Sequence, residues 1–158
     1  KRFNDTTYNS YRFPFSTKTT RQKIKTFLTK RIISKYNSEA RIKIILKKIT
    51  DLEKKTNYFD DCLKTLQKEK PDFIFCTNQR PMSAIAPIEA AKQLGISTAT
   101  FIFSWDNLPK ATLVIDTDYY LVWSEFMKKE LLKYYPDINE KQIVIVGTPQ
   151  FENHFEIT

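Results

Sequence analysis

Between residues 71 and 155 the chain alternates short apolar, β-rich runs with helical stretches, and this rhythm constrains the fold more than any other feature. Residues 72–77 (DFIFCT) form an apolar run that does not alternate with polar residues, as expected for a strand covered on both faces. Residues 83–94 then carry helical spacing and end at Gly95, a residue suited to the left-handed conformation that terminates a helix. Strand-like runs return at 97–103, 119–123 and 143–146. Between the last two, Ser124 stands where a helix running to Tyr135 needs its N-cap. Strands separated by helices are joined by right-handed crossovers and pair in parallel. The expectation is an α/β domain: a Rossmann-like parallel sheet of about four strands with helices on both faces.

The N-terminal part reads differently. Residues 1–20 are polar, aperiodic and interrupted by Pro14, which suggests an extended or disordered arm. Ile24, Phe27, Leu28, Ile32 and Tyr36 then recur at three and four residues, the spacing of a helix. A second stripe runs through Ile42, Ile45, Leu46, Ile49 and Leu52, and a third through Phe59, Cys62, Leu63 and Leu66 before Pro71. All three stripes are expected to face a core. One α/β domain over 21–155 follows, helical over 21–70 with its parallel core over 71–155.

Charge is distributed unevenly. Residues 1–70 carry 19 Lys+Arg against 7 Asp+Glu (+12), and residues 71–158 carry 7 against 11 (−4). Eight basic residues and no acidic one lie between Asp5 and Glu39. Such a block either attracts an anionic partner or forms a solvated helix face. A Gly-rich phosphate loop is excluded by the glycine count of two. Cys62 and Cys76 lie on apolar segments and read as small core residues in a reducing compartment. No apolar run approaches the roughly 20 residues of a membrane-spanning helix. Metal-ligand spacing and nucleophile–base motifs are absent from the sequence, so no cofactor is implied.

Ligands of open α/β sheets bind beyond the carboxyl ends of the strands. Four loops qualify: 78–81, 104–110, 124–125 and 147–151. The run Ser104-Trp105-Asp106-Asn107 offers a hydroxyl, an indole, a carboxylate and a carboxamide in succession. The indole can stack on a sugar, and Asp106 can orient or deprotonate a hydroxyl. Alternatively Asp and Asn form a turn and Trp105 plugs it. Arg80 is either a planar fork for phosphate or an exposed loop charge. Glu125 suits the first turn of a helix, where an acid favours the macrodipole, or acts on substrate. His154 is the sole histidine.

Taken in order, SWDNLPK at 104–110, DYYLVWSEFMKKEL at 118–131 and IVIVGTPQF at 143–151 resemble the N-terminal domain of GT-B-type glycosyltransferases. The likeness is nearest to bacterial surface-carbohydrate enzymes related to the CDP-glycerol glycerophosphotransferases. It covers 71–155 and hardly touches 1–70. The resemblance implies a two-domain enzyme of cell-surface polysaccharide or glycolipid synthesis, of which this chain is the acceptor-side part. Asp106 would be catalytic, and Arg80, Ser104, Trp105, Asn107, Lys110, Glu125, Thr148 and Gln150 would contact substrate. The donor nucleotide sugar would bind a C-terminal domain, and the acceptor would be a polyol or lipid-linked sugar. By this reading the isolated fragment is inactive. It would work in the cytoplasm, peripheral to the inner face of the membrane, with Lys23, Lys25, Lys30, Arg31 and Lys35 flanking an apolar stripe that meets anionic lipid. The alternative is a non-catalytic basic α/β module that binds a partner protein or nucleic acid; the chain carries no recognition motif for the latter.

Overall fold

The computed structural model describes residues 19–36, 38–110, 113–148 and 151. The expected arm over 1–20 therefore lies outside the described residues up to residue 18. The chain divides into two compact units, Lys1–Leu52 and Glu53–Thr158.

In the first unit, helix α1 (Thr20–Lys35) opens on a capping box. The Thr19 side chain accepts from the Gln22 backbone N–H, and the Thr19 N–H donates to Gln22 Oε1 at 3.0 Å. Two orphan donors are satisfied at once. At the other end the Arg41 guanidinium donates to the Lys35 carbonyl at 2.6 Å, placing a cation where the helix dipole is negative. Helix α2 (Glu39–Glu53) follows. The core-facing expectation fails for α1: Ile24, Phe27, Leu28, Ile32 and Ile33 are each more than half exposed. The reason lies in the interleaving of side chains. Six basic residues and no acidic one occupy this helix, and at 100° per residue they fall between the apolar positions, so no clean apolar face exists to bury.

The second unit begins with α3 (Asn57–Glu69), capped by Thr56, whose hydroxyl accepts from the Phe59 N–H at 3.2 Å. Lys70 adopts the left-handed conformation (φ 46°) and ends the helix just before Pro71. There follow β1 (Phe73–Cys76), a 3₁₀ turn (Met82–Ala84), α4 (Ile85–Gln93), β2 (Ser97–Phe101), a single turn α5 (Asn107–Lys110) and β3 (Tyr119–Val122). Helix α6 (Glu125–Tyr134), a second 3₁₀ turn (Glu140–Gln142) and β4 (Ile143–Ile145) complete the order. The four strands form one parallel sheet in the order β1-β2-β3-β4. The architecture is α/β and Rossmann-like, with helices flanking the sheet, as the alternation of runs predicts.

Helix α3 packs on α4 through Phe59 against Ala86 and Ala90, with Cys62, Leu63 and Leu66 around them. The alanines let the helices approach closely, and here the expected stripe does face a core. Both cysteines are free and half-buried rather than enclosed. Ile85, Ile88, Ile102, Tyr120, Val122, Met127 and Leu131 are buried and form the centre of this unit. The two sheet faces are covered unequally. Thr98, Thr100, Tyr120, Val122 and Ile143, which share one face by register, are buried, while Phe73, Phe75, Tyr119 and Val144 on the other remain exposed.

The amino-terminal ends of the strands are tied by a polar network. Thr98 donates to Asp118 Oδ2 through both its backbone N–H (2.8 Å) and its hydroxyl (2.9 Å), and the Asp118 N–H donates back to Thr98 Oγ1 at 3.1 Å. The Tyr120 hydroxyl donates to Asp116 Oδ1 at 3.0 Å and accepts from the Thr117 N–H at 3.2 Å. Burial, aided by the neighbouring Asp116 carboxylate, pushes the Tyr120 phenol well above its ordinary range. Gln142 Nε2 reaches the Asp118 carbonyl at 3.2 Å and links β4 to the same end. Replacing Asp118 with Ala strips the buried Thr98 N–H of its acceptor. The expected loss is about 1–3 kcal/mol of unfolding free energy by urea denaturation, and a loss below about 0.5 kcal/mol would contradict the role given to this clasp.

Candidate functional site at the carboxyl rim of the sheet

Because all four strands run in parallel, the loops that leave their carboxyl ends emerge along one rim. The loop 104–110 and the pair Gly147 and Thr148, which leaves β4, both belong to it. After β1, the chain turns on Asn78, whose side-chain oxygen accepts from the Arg80 N–H at 3.1 Å, while Cys76 Sγ donates to the Asn78 carbonyl at 3.1 Å. This turn buries Gln79 and leaves Arg80 exposed. The Gln79 carbonyl accepts from the Val114 N–H at 3.3 Å, so the long segment that precedes β3 is fastened to the β1 loop.

After β2, one further ladder bond, Ile102 N–H to the Leu121 carbonyl at 2.9 Å, carries the strand toward Ser104. The Ser104 hydroxyl donates to Asp106 Oδ1 at 2.7 Å, and the Asn107 N–H donates to the Ser104 carbonyl at 3.0 Å, closing a turn that leads into α5. Buried Leu108 anchors that turn. Asp106 is half-buried and its carboxylate is oriented by Ser104. Trp105 is 60% exposed, so the alternative in which it plugs the loop does not hold. Asn107 is 2% exposed, and its Oδ1 accepts from Arg80 Nη1 at 3.3 Å. Two predicted residues 27 positions apart are thereby brought together.

After β3, Ser124 caps α6, its hydroxyl accepting from the Met127 N–H at 3.4 Å, and Glu125 is exposed in the first turn. After β4, Gly147 takes φ +75°, a conformation strained for any residue with a Cβ. Thr148 is half-buried and its carbonyl accepts from the Phe151 N–H at 2.9 Å. The Phe151 ring meets Trp123 edge-on, with centroids 6.0 Å apart. Gln150, Pro149 and His154 lie outside the described residues; Lys110 closes α5.

Among the described residues, three buried polar atoms at this rim have no hydrogen-bond partner: Gln79 Oε1, Asn107 Nδ2 and Trp123 Nε1. They sit in the β1 loop, the β2 loop and at the end of β3. Gln79 and Trp123 were not singled out from the sequence, although both adjoin strand ends. A glutamine in a turn reads as exposed, and Trp123 reads as part of an apolar run. Among the described residues no group of three His, Cys, Asp or Glu side chains could hold a metal ion. Nor is any described helix long and apolar enough to cross a membrane. No protein-family model, curated protein or solved structure matches the chain.

Proposed function

We propose that this chain is the acceptor-side domain of a nucleotide-sugar-dependent glycosyltransferase in cell-surface polysaccharide or glycolipid synthesis. The observation that supports it best is the loop at 104–110, where an exposed indole stands beside a carboxylate held by a neighbouring hydroxyl. Trp105 stacks on the apolar face of an acceptor sugar or polyol. Asp106 takes the proton of the attacking hydroxyl. The new C–O bond forms at the anomeric carbon as the bond to the nucleoside diphosphate breaks, and the diphosphate leaves with the electron pair. A separate C-terminal domain holds the donor. The six cations of α1, with no acidic residue among them, suit electrostatic attraction to the inner face of an anionic membrane carrying a lipid-linked acceptor.

Transfer from nucleotide sugars to polyol or lipid-linked acceptors by the intact polypeptide is the direct assay. Calorimetric titration of this chain with UDP-, GDP- and CDP-sugars tests the division of labour. Phosphoryl leaving groups need preorganised cations or helix N-termini, and Arg80, the described rim guanidinium, already donates to Asn107. No binding in the micromolar range is expected; micromolar affinity for any one would place the donor site in this unit and refute the acceptor assignment.

The six cations of α1 also favour a second reading, a non-catalytic basic module for a partner protein or nucleic acid. Tight, saturable binding to RNA or DNA at physiological salt, without sugar transfer, would select it.

A further inference from the structure

We propose that the open face of the sheet is the interface of a homodimer, in which two copies of this chain pack sheet against sheet. Topology leaves that face open. Strands in the order β1-β2-β3-β4, joined by right-handed crossovers, carry every crossover on one side. Accordingly α4 packs on β1 and β2, α6 packs on β4, and α5 sits against α6. Parallel sheets are ordinarily covered on both faces. Here the other face is apolar and open: Phe73, Phe75, Phe103 and Tyr119 are 44–49% exposed, and Val144 and Val146 are 36–42% exposed. None of the described strand residues on it carries a charge.

Area, charge and relief select a second copy as the occupant. An enclosed aromatic side chain buries about 150–250 Å², so each half-exposed ring offers about 90 Å², each valine somewhat less, and the face about 500 Å² in all. A patch of that size is at the upper end for an ordinary monomer and often serves an interaction. Two such faces bury about 1,000 Å² together, the threshold of a specific interface and enough for a weak, micromolar dimer. Identical copies with a net charge of +8 repel one another over much of their surface, and an uncharged face lets them meet without opposing like charges.

The relief is self-complementary. By register Phe75, Ala99 and Tyr119 form one row across β1, β2 and β3, so the small Ser97 and Ala99 make a furrow on β2 between taller neighbours. A two-fold axis along the strands, between β2 and β3, sets Tyr119 of each copy over the furrow of the other. The same axis lays β1, with its rings, over β4, with its smaller valines. A two-fold axis across the strands would stack β1 on β1, ring on ring, and leave the furrows facing each other unfilled, against the close packing of protein interiors. With the axis along the strands, both carboxyl rims point the same way and stay open.

The test is sedimentation velocity of this chain from about 5 µM to about 500 µM at physiological salt, a range that brackets a weak dimer. Expected is a reversible monomer–dimer equilibrium with a micromolar dissociation constant. Tyr119→Asp should weaken it at least about tenfold, as loss of a central aromatic contact does, with the far-ultraviolet circular dichroism unchanged. Should that variant fail to fold, Val144→Lys on the edge strand β4 takes its place with the same expectation. Phe126→Asp is the control: its ring is 65% exposed on α6, and association should not change. A one-to-one mixture of Tyr119→Asp and Ser97→Lys chains should associate more tightly than either alone, since the axis sets these positions opposite; no gain would overturn this arrangement. A chain that stays monomeric throughout the range would overturn the dimer. So would dissociation by Phe126→Asp alone, which puts the contact on the helical side, or a dimer indifferent to the folded face variants.

Discussion

Truncating Tyr120 to Ala is expected to remove about 3–5 kcal/mol of unfolding free energy, measured by urea denaturation. The ring is 1% exposed on a central strand, so its loss leaves a cavity that the flanking strands cannot close. The hydroxyl disappears with it, and the Thr117 N–H, which donates to that oxygen at 3.2 Å, loses its acceptor. Domains of this size are stable by about 5–15 kcal/mol, so the variant sits near the threshold of folding. Tyr120→Phe separates the two contributions. It keeps the ring and deletes the hydroxyl, and should cost about 1–3 kcal/mol. Equal losses for the two variants would show that the hydroxyl and not the packing of the ring dominates.

On the proposed reading, Asp106→Asn in the intact polypeptide is expected to reduce turnover by about 10²–10⁴-fold, the range of general-base catalysis. Its effect on folding should be small, within about 1 kcal/mol, because an amide oxygen still accepts from the Ser104 hydroxyl. Steady-state kinetics and thermal melts of the same preparations check both halves of the statement. A variant that retains full activity reduces the 104–110 loop to a turn, and Asp106 to its brace.

The strands were legible because the apolar runs alternate with helical stretches, although β1, expected to be covered on both faces, leaves Phe73 and Phe75 exposed. Residues 72–77, 97–103, 119–123 and 143–146 enclose the observed β1, β2, β3 and β4, and Gly95 ends α4 with φ +71° as a terminating glycine should. The turn at Asn107–Lys110 was not legible, since Asn and Pro read as loop formers; Pro109 is tolerated there because it sits in a first helical turn, where its missing N–H has no partner to lose. The rim itself followed from topology, but the pairing of Arg80 with Asn107 depends on β1 and β2 being neighbours, which no local window contains. Exposure was harder still. Two indoles adjoin strand ends, and only the path of the loop decides that Trp105 faces solvent while the Trp123 N–H is buried. For α1, spacing alone predicted burial, and the cations between the apolar positions overrode it.

The clasp between Thr98 and Asp118 lies at one end of the strands, and the unmatched amides lie at the other. On the proposed reading, stability and recognition fall at opposite poles of the same sheet, with about one strand length of packed side chains between them. A substitution in the 78–81 or 104–110 loop can alter what is recognised without loosening the ties that hold the strands in register. Such a scaffold can acquire a new specificity in single steps, each of them compatible with a folded intermediate.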